Sequence, residues 1–272
     1  MADFPDAAID LSGRRILVTN DDGIHATGLA RLERIARTLS DDVWVVAPET
    51  EQSGAAHSLT LTQPLRVRRL DDRRFSVRGT PSDCVLMASA RLLGERQPDL
   101  VLSGVNRGAN LGEDVTYSGT VAAAMEGTLL GIPSIAFSQV LSHADHSAKW
   151  HTAEHFAPGL IRWLMDCGWP KNVLININFP DAEPAAVAGV EVAAQGRRDV
   201  GDLMMEQRKD PRGFPYYWIG FRKTVGPPPS ETDLNAARQG RISITPLHLD
   251  LTHFETCARL RAALDLYTGS TP

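Results

Sequence analysis

The stretch RRILVTNDDGIHATGLARLERIARTL, residues 14–39, decides the fold. Its opening run, residues 14–20, becomes continuously apolar after two arginines, which is typical of a strand buried on both faces. Its closing run, residues 28–39, repeats apolar side chains at the spacing of one helical face. Between the two runs stand adjacent aspartates, Asp21 and Asp22, followed by a glycine. The stretch therefore predicts a strand, a turn with two carboxylates, and an amphipathic helix.

The next part of the chain repeats this alternation of apolar runs and amphipathic segments. Further strand-like runs occupy residues 43–48, 99–104, 134–138 and 172–179. Helices are predicted from a Thr80 cap through residue 94, over 118–131, and around 150–166. Continuous apolar strands that alternate with helices predict a parallel sheet with helices on both faces. We therefore expect an α/β fold built on a doubly wound, mostly parallel sheet.

The second half departs from this pattern. Residues 196–229 are polar, rich in Gly and Pro, and aromatic, which favours a protruding strand pair that contacts a second subunit. A strand at 241–247 and a helix near 252–267 follow. The expected organisation is one domain over 1–272, with an α/β core at 14–195, an arm at 196–240, and a C-terminal strand and helix at 241–272.

Composition excludes several classes of function. The net charge is −5, so no overall positive field attracts polymeric nucleic acid. The basic run at 66–74 contains two aspartates, which favours a solvated hairpin edge. Three widely spaced cysteines argue for a reducing compartment. The chain start lacks a signal-peptide pattern, and no apolar run approaches the ~18 residues of a membrane span. We expect a cytoplasmic protein without a membrane partner.

Polar side chains follow three of the predicted strands. Asp21 and Asp22 follow the first strand, and a Gly/Ser segment with Ser53 and His57 follows the second. A glycine-rich segment follows the strand at 99–104 and supplies Asn106, Arg107, Asn110 and Ser118. Because the carboxyl ends of parallel strands form one edge of a sheet, we expect these groups at a common ligand site.

The chemistry of these groups favours phosphate esters. Carboxylate, hydroxyl and amide oxygens are ligands for hard cations such as Mg²⁺, Mn²⁺ or Ca²⁺, and the His and Cys spacing of a zinc site is missing. The residues Ser118, Gly119 and Thr120 begin a predicted helix, where free N–H groups bind anions. A divalent metal beside an anion site is suited to phosphate-ester hydrolysis.

Each of these features also has a common structural explanation. Asp-Asp-Gly after a strand is a frequent turn, and Ser53 in a glycine loop is typical of a linker. His57 is more often a packing residue than a base, and Asp83 is typical of a helix N-terminus. The convergence of three strand ends, rather than any single residue, favours a functional site.

Six stretches of the chain resemble the SurE family of metal-dependent 5′/3′-nucleotidases. They are ILVTNDDGIHATG, VVAPETEQSGAAHSLTL, GTPSDCV, DLVLSGVNRGANLGEDVTYSGTVAAAMEG, NINFP and SITPLHLDLT, in this order over most of residues 14–252. The resemblance implies a Rossmann-like core and a C-terminal arm that swaps between subunits of a homodimer or homotetramer. It implies hydrolysis of nucleoside 5′- and 3′-monophosphates, and in some members of short polyphosphate.

The resemblance also implies residue roles. One divalent metal per subunit, Mg²⁺ or Mn²⁺, would be held by Asp21, Asp22, Ser53 and Asn106. Substrate phosphate would lie among Asn106, Asn110, Ser118, Gly119 and Thr120. Two departures from the family pattern are the sequence PPPSETDLNAA, which keeps an acidic residue at Asp233, and an N-terminal extension of about a dozen residues.

The catalytic roles expected for Asp21 and Asp22 include that of general base. Either carboxylate is favoured over His57, because a carboxylate at the metal already lies near the attacking water. Three alternatives stay open. A haloacid-dehalogenase-like phosphatase needs an Asp-x-Asp pair, and a receiver module needs a phospho-accepting Asp and a Lys at later strand ends, where this chain has Asn106 and Ser138. A non-catalytic nucleotide-binding protein would bind without releasing phosphate.

Overall fold

A computed structural model describes residues 9–142, 144–197, 200–223 and 228–268. Its strands are β1 Arg15–Thr19, β2 Asp42–Pro48, β3 Arg66–Asp71, β4 Arg74–Arg78, β5 Leu100–Arg107, β6 Ser134–Gln139, β7 Val173–Phe179, β8 Gly189–Val192, β9 Val200–Lys209, β10 Pro215–Lys223 and β11 Arg241–His248. Its α-helices are α1 Thr27–Arg37, α2 Pro81–Met87, α3 Gly119–Leu129, α4 Trp150–Cys167, α5 Asp233–Arg238 and α6 Phe254–Thr268. The expectation about the chain start concerns residues 1–8, which lie outside the described residues.

Nine strands form one sheet in the order β3-β4-β2-β1-β5-β6-β7-β11-β8. The strands from β4 to β7 are parallel to their neighbours, whereas β3 pairs with β4, and β11 with β7, in antiparallel fashion. The chain proceeds outward from β1 in one direction and from β5 in the other. The predicted doubly wound α/β sheet is confirmed, and its topological switch point lies between β1 and β5.

Helices cover both faces of the sheet. On one face, α1 and α4 share a core cluster with Ile16 and Val18 of β1, and on the other face α2 shares a cluster with Leu17. The helix α3 lies beside α2 and contributes Ala123 to the same cluster as Leu17. The apolar stripe predicted for residues 28–39 is buried as expected. Burial on both sides is why the central strands are continuously apolar.

Side-chain caps define where two of the helices begin. Thr80 and Asp83 form a capping box at the start of α2, as the sequence predicts. Ser118 caps α3 by accepting the N–H of Val121 at 3.0 Å. The expectation of one α-helix through residue 94 is wrong, because α2 ends at Met87 and continues as a π-helical turn over Ala88–Leu92.

The strand β5 is longer than the predicted run 99–104 and ends at Arg107. Gly104 makes this possible because its φ is +128° and an added Cβ would lie 2.3 Å from the Phe137 carbonyl oxygen. The register with β6 shifts between Ser103 and Asn106. The expectation that Asn106 and Arg107 belong to the following loop is therefore wrong, since both lie on the strand.

Two short elements, β8 and α5, escaped the sequence analysis. The strands β9 and β10 form the antiparallel pair expected from the polar segment, in a sheet of their own. The basic run at 66–74 forms the antiparallel edge pair β3–β4, also as expected. Within the described ranges, no helix is long and apolar enough to cross a membrane.

Candidate functional site

Asp21 lies two residues after the end of β1, at the switch point, and is 4% exposed. Its Oδ1 accepts a hydrogen bond from the hydroxyl of Thr120, in the first turn of α3. Gly119 packs against the same side chain, since a Cβ added there would lie 2.8 Å from the Cβ of Asp21. The absence of a side chain at position 119 therefore allows the carboxylate to reach the start of α3.

Burial shifts the pKa of both aspartates. It raises the pKa of Asp21 to about 6, and the charge of Asp22 adds to this effect while the Thr120 hydrogen bond opposes it. Burial also raises the pKa of Asp22, and the nearby charge of Glu51 acts in the same direction. Neither aspartate forms an ion pair within the part of the chain that the structure describes. The site thus holds two desolvated carboxylates that a cation would stabilise.

Asp22 connects β1 to β5 and to the segment after β2. Its Oδ2 accepts the backbone N–H of Arg107 at 3.0 Å, which bridges the switch point. Ser53 and Glu51 line a cavity of about 360 Å³ together with Asp22. The Ser53 hydroxyl donates to Glu51 Oε1 at 2.8 Å, and the N–H of Gln52 donates to the Asp21 carbonyl oxygen at 2.8 Å. The structure therefore places Ser53 and Asp22 in the lining of one cavity.

Asn106 and Asn110 lie near the ends of the central strands, and their side chains form hydrogen bonds with groups other than Asp21 and Asp22. Asn106 donates from Nδ2 to the Gly108 carbonyl oxygen at 3.0 Å, which leaves Oδ1 as the atom that could bind a cation. Asn110 donates from Nδ2 to Ser138 Oγ at 2.8 Å. In the described ranges, no hydrogen bond joins either amide to Asp21 or Asp22.

Two asparagines of β7, Asn176 and Asn178, support Asn110. Asn178 accepts the Asn110 N–H at 2.9 Å, and both side chains donate to the Asn110 carbonyl oxygen, at 2.9 and 3.1 Å. Ser138 is aligned with Asn178 on one side and with Asn106 on the other. This support was not predicted, although alternating Asn residues in an apolar strand are a signal for it.

Asp233, the acidic residue kept in the PPPSETDLNAA stretch, has a structural role that was not predicted, and it is fully buried at the start of α5. Its two oxygens accept the backbone N–H groups of Gly112 at 2.8 Å, Gly196 at 2.8 Å and Leu234 at 2.7 Å. Gln195 also donates to the Gly112 carbonyl oxygen at 2.9 Å. The end of the glycine loop is thus fixed to residues on both sides of the β9–β10 pair.

His57 has a partner that is 69 residues away in the sequence. Its Nε2 lies 2.9 Å from Oε2 of Glu126, a buried residue of α3. The adjacent residue Ser58 is held as well, because its carbonyl oxygen accepts the Thr80 hydroxyl at 2.8 Å. His57 therefore connects the Ser53 segment to α3, and Asp83 acts in the α2 cap and accepts the Thr60 N–H at 3.1 Å.

The donor set fits a hard divalent cation. Two carboxylates, a hydroxyl and an amide oxygen are oxygen ligands of the kind that Mg²⁺ and Mn²⁺ take. Asn20, beside the pair, has a buried Oδ1 without a hydrogen-bond partner. In the described residues, no three His, Cys, Asp or Glu side chains gather as a metal cluster. A metal here would thus depend on Asp21 and Asp22 and on neutral oxygens.

These features define a doubly wound α/β protein with an acidic, oxygen-lined site at its switch point, against the start of a helix. Residues 16–202 match the family described as survival protein SurE, and the chain belongs to this family. The resemblance stated from the six stretches is confirmed.

Named relatives match nearly the whole chain. A protein from Parvibaculum lavamentivorans named 5′-nucleotidase SurE is 61% identical over 251 residues, which is 92% of this chain and 91% of that one. A protein of the same name from Caulobacter sp. strain K31 is 59% identical over 260 residues, 95% of each chain. The crystal structure of SurE protein from Aquifex aeolicus superposes with a TM-score of 0.78 at 38% identity, covering 92% of this chain and all of that one.

Proposed function

We propose that this protein is a metal-dependent phosphomonoesterase that converts nucleoside monophosphates and water to nucleosides and phosphate. The observation that carries the proposal is the contact of Asp21 with Thr120 and Gly119, because it sets a carboxylate pair against a helix N-terminus. The relatives named 5′-nucleotidase SurE support the substrate class.

Asp21, Asp22, Ser53 and Asn106 are the proposed metal ligands. A divalent cation bound there would lower the pKa of a water and offset the charge of the phosphoryl oxygens. The aspartates are suited to this role because they are desolvated and lie at the switch point. Ser53 can bind the cation through an oxygen lone pair while its hydroxyl hydrogen stays donated to Glu51.

The phosphate would lie against the start of α3. The N–H groups of Gly119 and Thr120 lie in the first turn, where the helix dipole favours an anion, and the Ser118 hydroxyl already caps the helix. Asn110 uses one of its two amide N–H donors for Ser138, so the second can bind a phosphoryl oxygen. Asn106, on β5, is aligned with the same Ser138 on β6.

Asp22 or Asp21 would act as the general base that takes the proton of the attacking water. The bond from the water oxygen to phosphorus forms as the bond from phosphorus to the nucleoside oxygen breaks, and the departing alkoxide takes up the proton that the aspartate received from the water. His57 is the weaker choice because Glu126 already binds its Nε2. Turnover of an Asp22→Asn variant at the wild-type rate with saturating metal would remove Asp22 from this role.

The decisive experiment measures phosphate release across a panel of nucleoside monophosphates, before and after chelation, with Mg²⁺ or Mn²⁺ added back. We expect activity to vanish with chelator and to return with metal. Activity that survives complete chelation contradicts the metal mechanism. A trapped, acid-stable phosphoenzyme would favour the haloacid-dehalogenase-like or receiver alternatives, and binding without phosphate release would favour a non-catalytic nucleotide-binding protein.

Finer properties belong to the same proposal. We infer that the enzyme accepts both 5′- and 3′-monophosphates and short polyphosphate, and that it uses one Mg²⁺ or Mn²⁺ per subunit. The arm at 196–240, with the exposed side chains Tyr217, Trp218 and Ile219, is proposed to join the subunits of a homodimer or homotetramer by exchange. The three cysteines favour the cytoplasm, and the net charge of −5 disfavours polymeric nucleic acid as a partner.

A further inference from the structure

We propose that the cavity beside Asp22 holds the nucleoside half of the substrate, with the indole ring of Trp150 as the surface on which the base stacks. The assignment rests on the proposed function, since it concerns the part of a nucleotide that does not react. Its basis is the volume and lining of one cavity that two of the proposed metal ligands, Asp22 and Ser53, help to form.

The cavity extends from the carboxylate site to the start of α4. Asp22 and Ser53 line it together with Trp150, and its volume of about 360 Å³ is within the usual range for small-molecule sites. A phosphomonoester with its phosphorus beside Asp22 and Ser53 can place its organic group in this cavity, and a nucleoside has a suitable size.

Trp150 is held at this position before any ligand binds. It is the first residue of α4, and its N–H donates to the Ala148 carbonyl oxygen at 3.0 Å. Its ring lies against Gly28 of α1, where an added Cβ would be 3.3 Å from Trp150 Cη2 and 1.8 Å from the Val105 carbonyl oxygen. A fixed aromatic ring stacks a base with little loss of side-chain freedom.

Arg107 connects the two ends of the cavity. Its backbone N–H donates to Asp22, and its guanidinium donates from Nη2 to the His146 carbonyl oxygen at 2.8 Å. The guanidinium therefore holds the segment before Trp150, and Arg107 and Thr27 are both lining residues of the cavity. These groups suit the oxygen acceptors of a ribose and the face of a base.

The lining also determines how selective the site is. Among the described residues, no Asn or Gln side chain lines the cavity to read the hydrogen-bonding edge of a base. Stacking tolerates every base because each has a π-face, and larger bases stack better. We therefore expect the catalytic efficiency to decrease from AMP to UMP to ribose 5-phosphate. Ribose 5-phosphate keeps the phosphate and the sugar but has no base.

The test measures kcat/KM for AMP and for ribose 5-phosphate in the metal-loaded full-length enzyme. Trp150→Leu should lower the ratio of the two efficiencies about tenfold, mainly through the KM for AMP, whereas Trp150→Phe should keep most of the ratio. Ala148→Phe, which adds bulk to the cavity lining, should lower the ratio as well and serves if Trp150→Leu does not fold.

The matched control is Trp169→Leu. Trp169 is another half-buried tryptophan against the same core cluster, beyond the far end of α4, about 27 Å along the helix axis. This control should keep the wild-type ratio. An unchanged ratio in both Trp150→Leu and Ala148→Phe, or equal wild-type efficiency on AMP and ribose 5-phosphate, overturns the base site alone. Absence of phosphate release from both substrates overturns the proposed function and this site with it.

Discussion

The hydroxyl of Thr120 donates a hydrogen bond to Oδ1 of Asp21, which joins the first turn of α3 to the end of β1. Both residues are buried, so water does not compete for this bond. The contact fixes one of two neighbouring carboxylates in a desolvated place, where its charge is costly unless a cation offsets it.

Removal of metal should destabilise the wild-type protein and have much less effect on Asp21→Asn. A cation that binds only the folded state stabilises it by mass action, and the variant lacks the charge that the cation offsets. The measurement is the melting temperature with Mg²⁺ or Mn²⁺ and after chelation. Equal chelation shifts in the two proteins would show that Asp21 is not a ligand.

Thr120→Val should destabilise the metal-free protein by about 1–3 kcal/mol, because it leaves Asp21 Oδ1 buried without its donor. Urea unfolding in the presence of chelator measures the change. Thr128→Val is the matched control, since Thr128 is another buried threonine of α3, and its hydroxyl donates only to the Ala124 carbonyl oxygen at 2.8 Å. A loss at Thr120 no larger than that at Thr128 would contradict the role given to the Asp21 contact.

The metal-free protein should lose stability between about pH 4 and pH 6. The folded-state pKa of Asp21 is raised from 3.8 to about 6, so the folded state binds the proton more tightly than the unfolded state. Stability from this group is therefore highest at low pH and falls through that window by on the order of 3 kcal/mol.

This pH dependence can be isolated with Asp21→Asn, which removes the titrating group. The free energy of unfolding should be compared for the two proteins in chelator from pH 4 to pH 8. We expect the variant to become progressively more stable than the wild type up to about pH 6, after which the difference stays constant. Parallel curves over the whole range would refute the raised pKa.

Asp233→Asn should lower stability by about 2–3 kcal/mol, since an amide cannot accept all three N–H groups that the carboxylate accepts. It should also lower kcat on nucleoside monophosphates about tenfold, because Gly112 ends the loop that carries Asn110. Asp72→Asn, at a 94% exposed side chain, is the control and should change neither quantity. A wild-type kcat in a folded Asp233→Asn variant would show that Asp233 does not support catalysis.

The parts of the fold that the sequence predicted are those with strong periodic signals. The strand β1, the helix α1 and the cap at Thr80 each have a local cause, either apolar spacing or a side chain that satisfies a backbone N–H. The placement of Asp21 and Asp22 followed from the same logic, since a buried parallel strand has its ligand groups at its carboxyl end.

What the sequence could not predict depends on partners that are distant along the chain. His57 and Glu126 are 69 residues apart, and Asp233 and Gly112 are 121 residues apart, so no local pattern joins them. The extension of β5 beyond Gly104 was missed because glycine usually weakens a strand, whereas here it fits against the Phe137 carbonyl oxygen. The elements β8 and α5 are too short to show a period.

Asp233 makes the β9–β10 hairpin a segment that could be replaced by another hairpin. One of its oxygens accepts the N–H of Gly196, 37 residues earlier, so the chain leaves the core and returns to it at a single carboxylate. At the same junction, the backbone N–H of Ala194 donates a hydrogen bond to the Glu231 carbonyl oxygen at 2.9 Å. Doubling the length of a closed loop costs only about 0.6 kcal/mol, so hairpins of other lengths and sequences can be grafted between these anchors while the carboxylate site keeps its geometry.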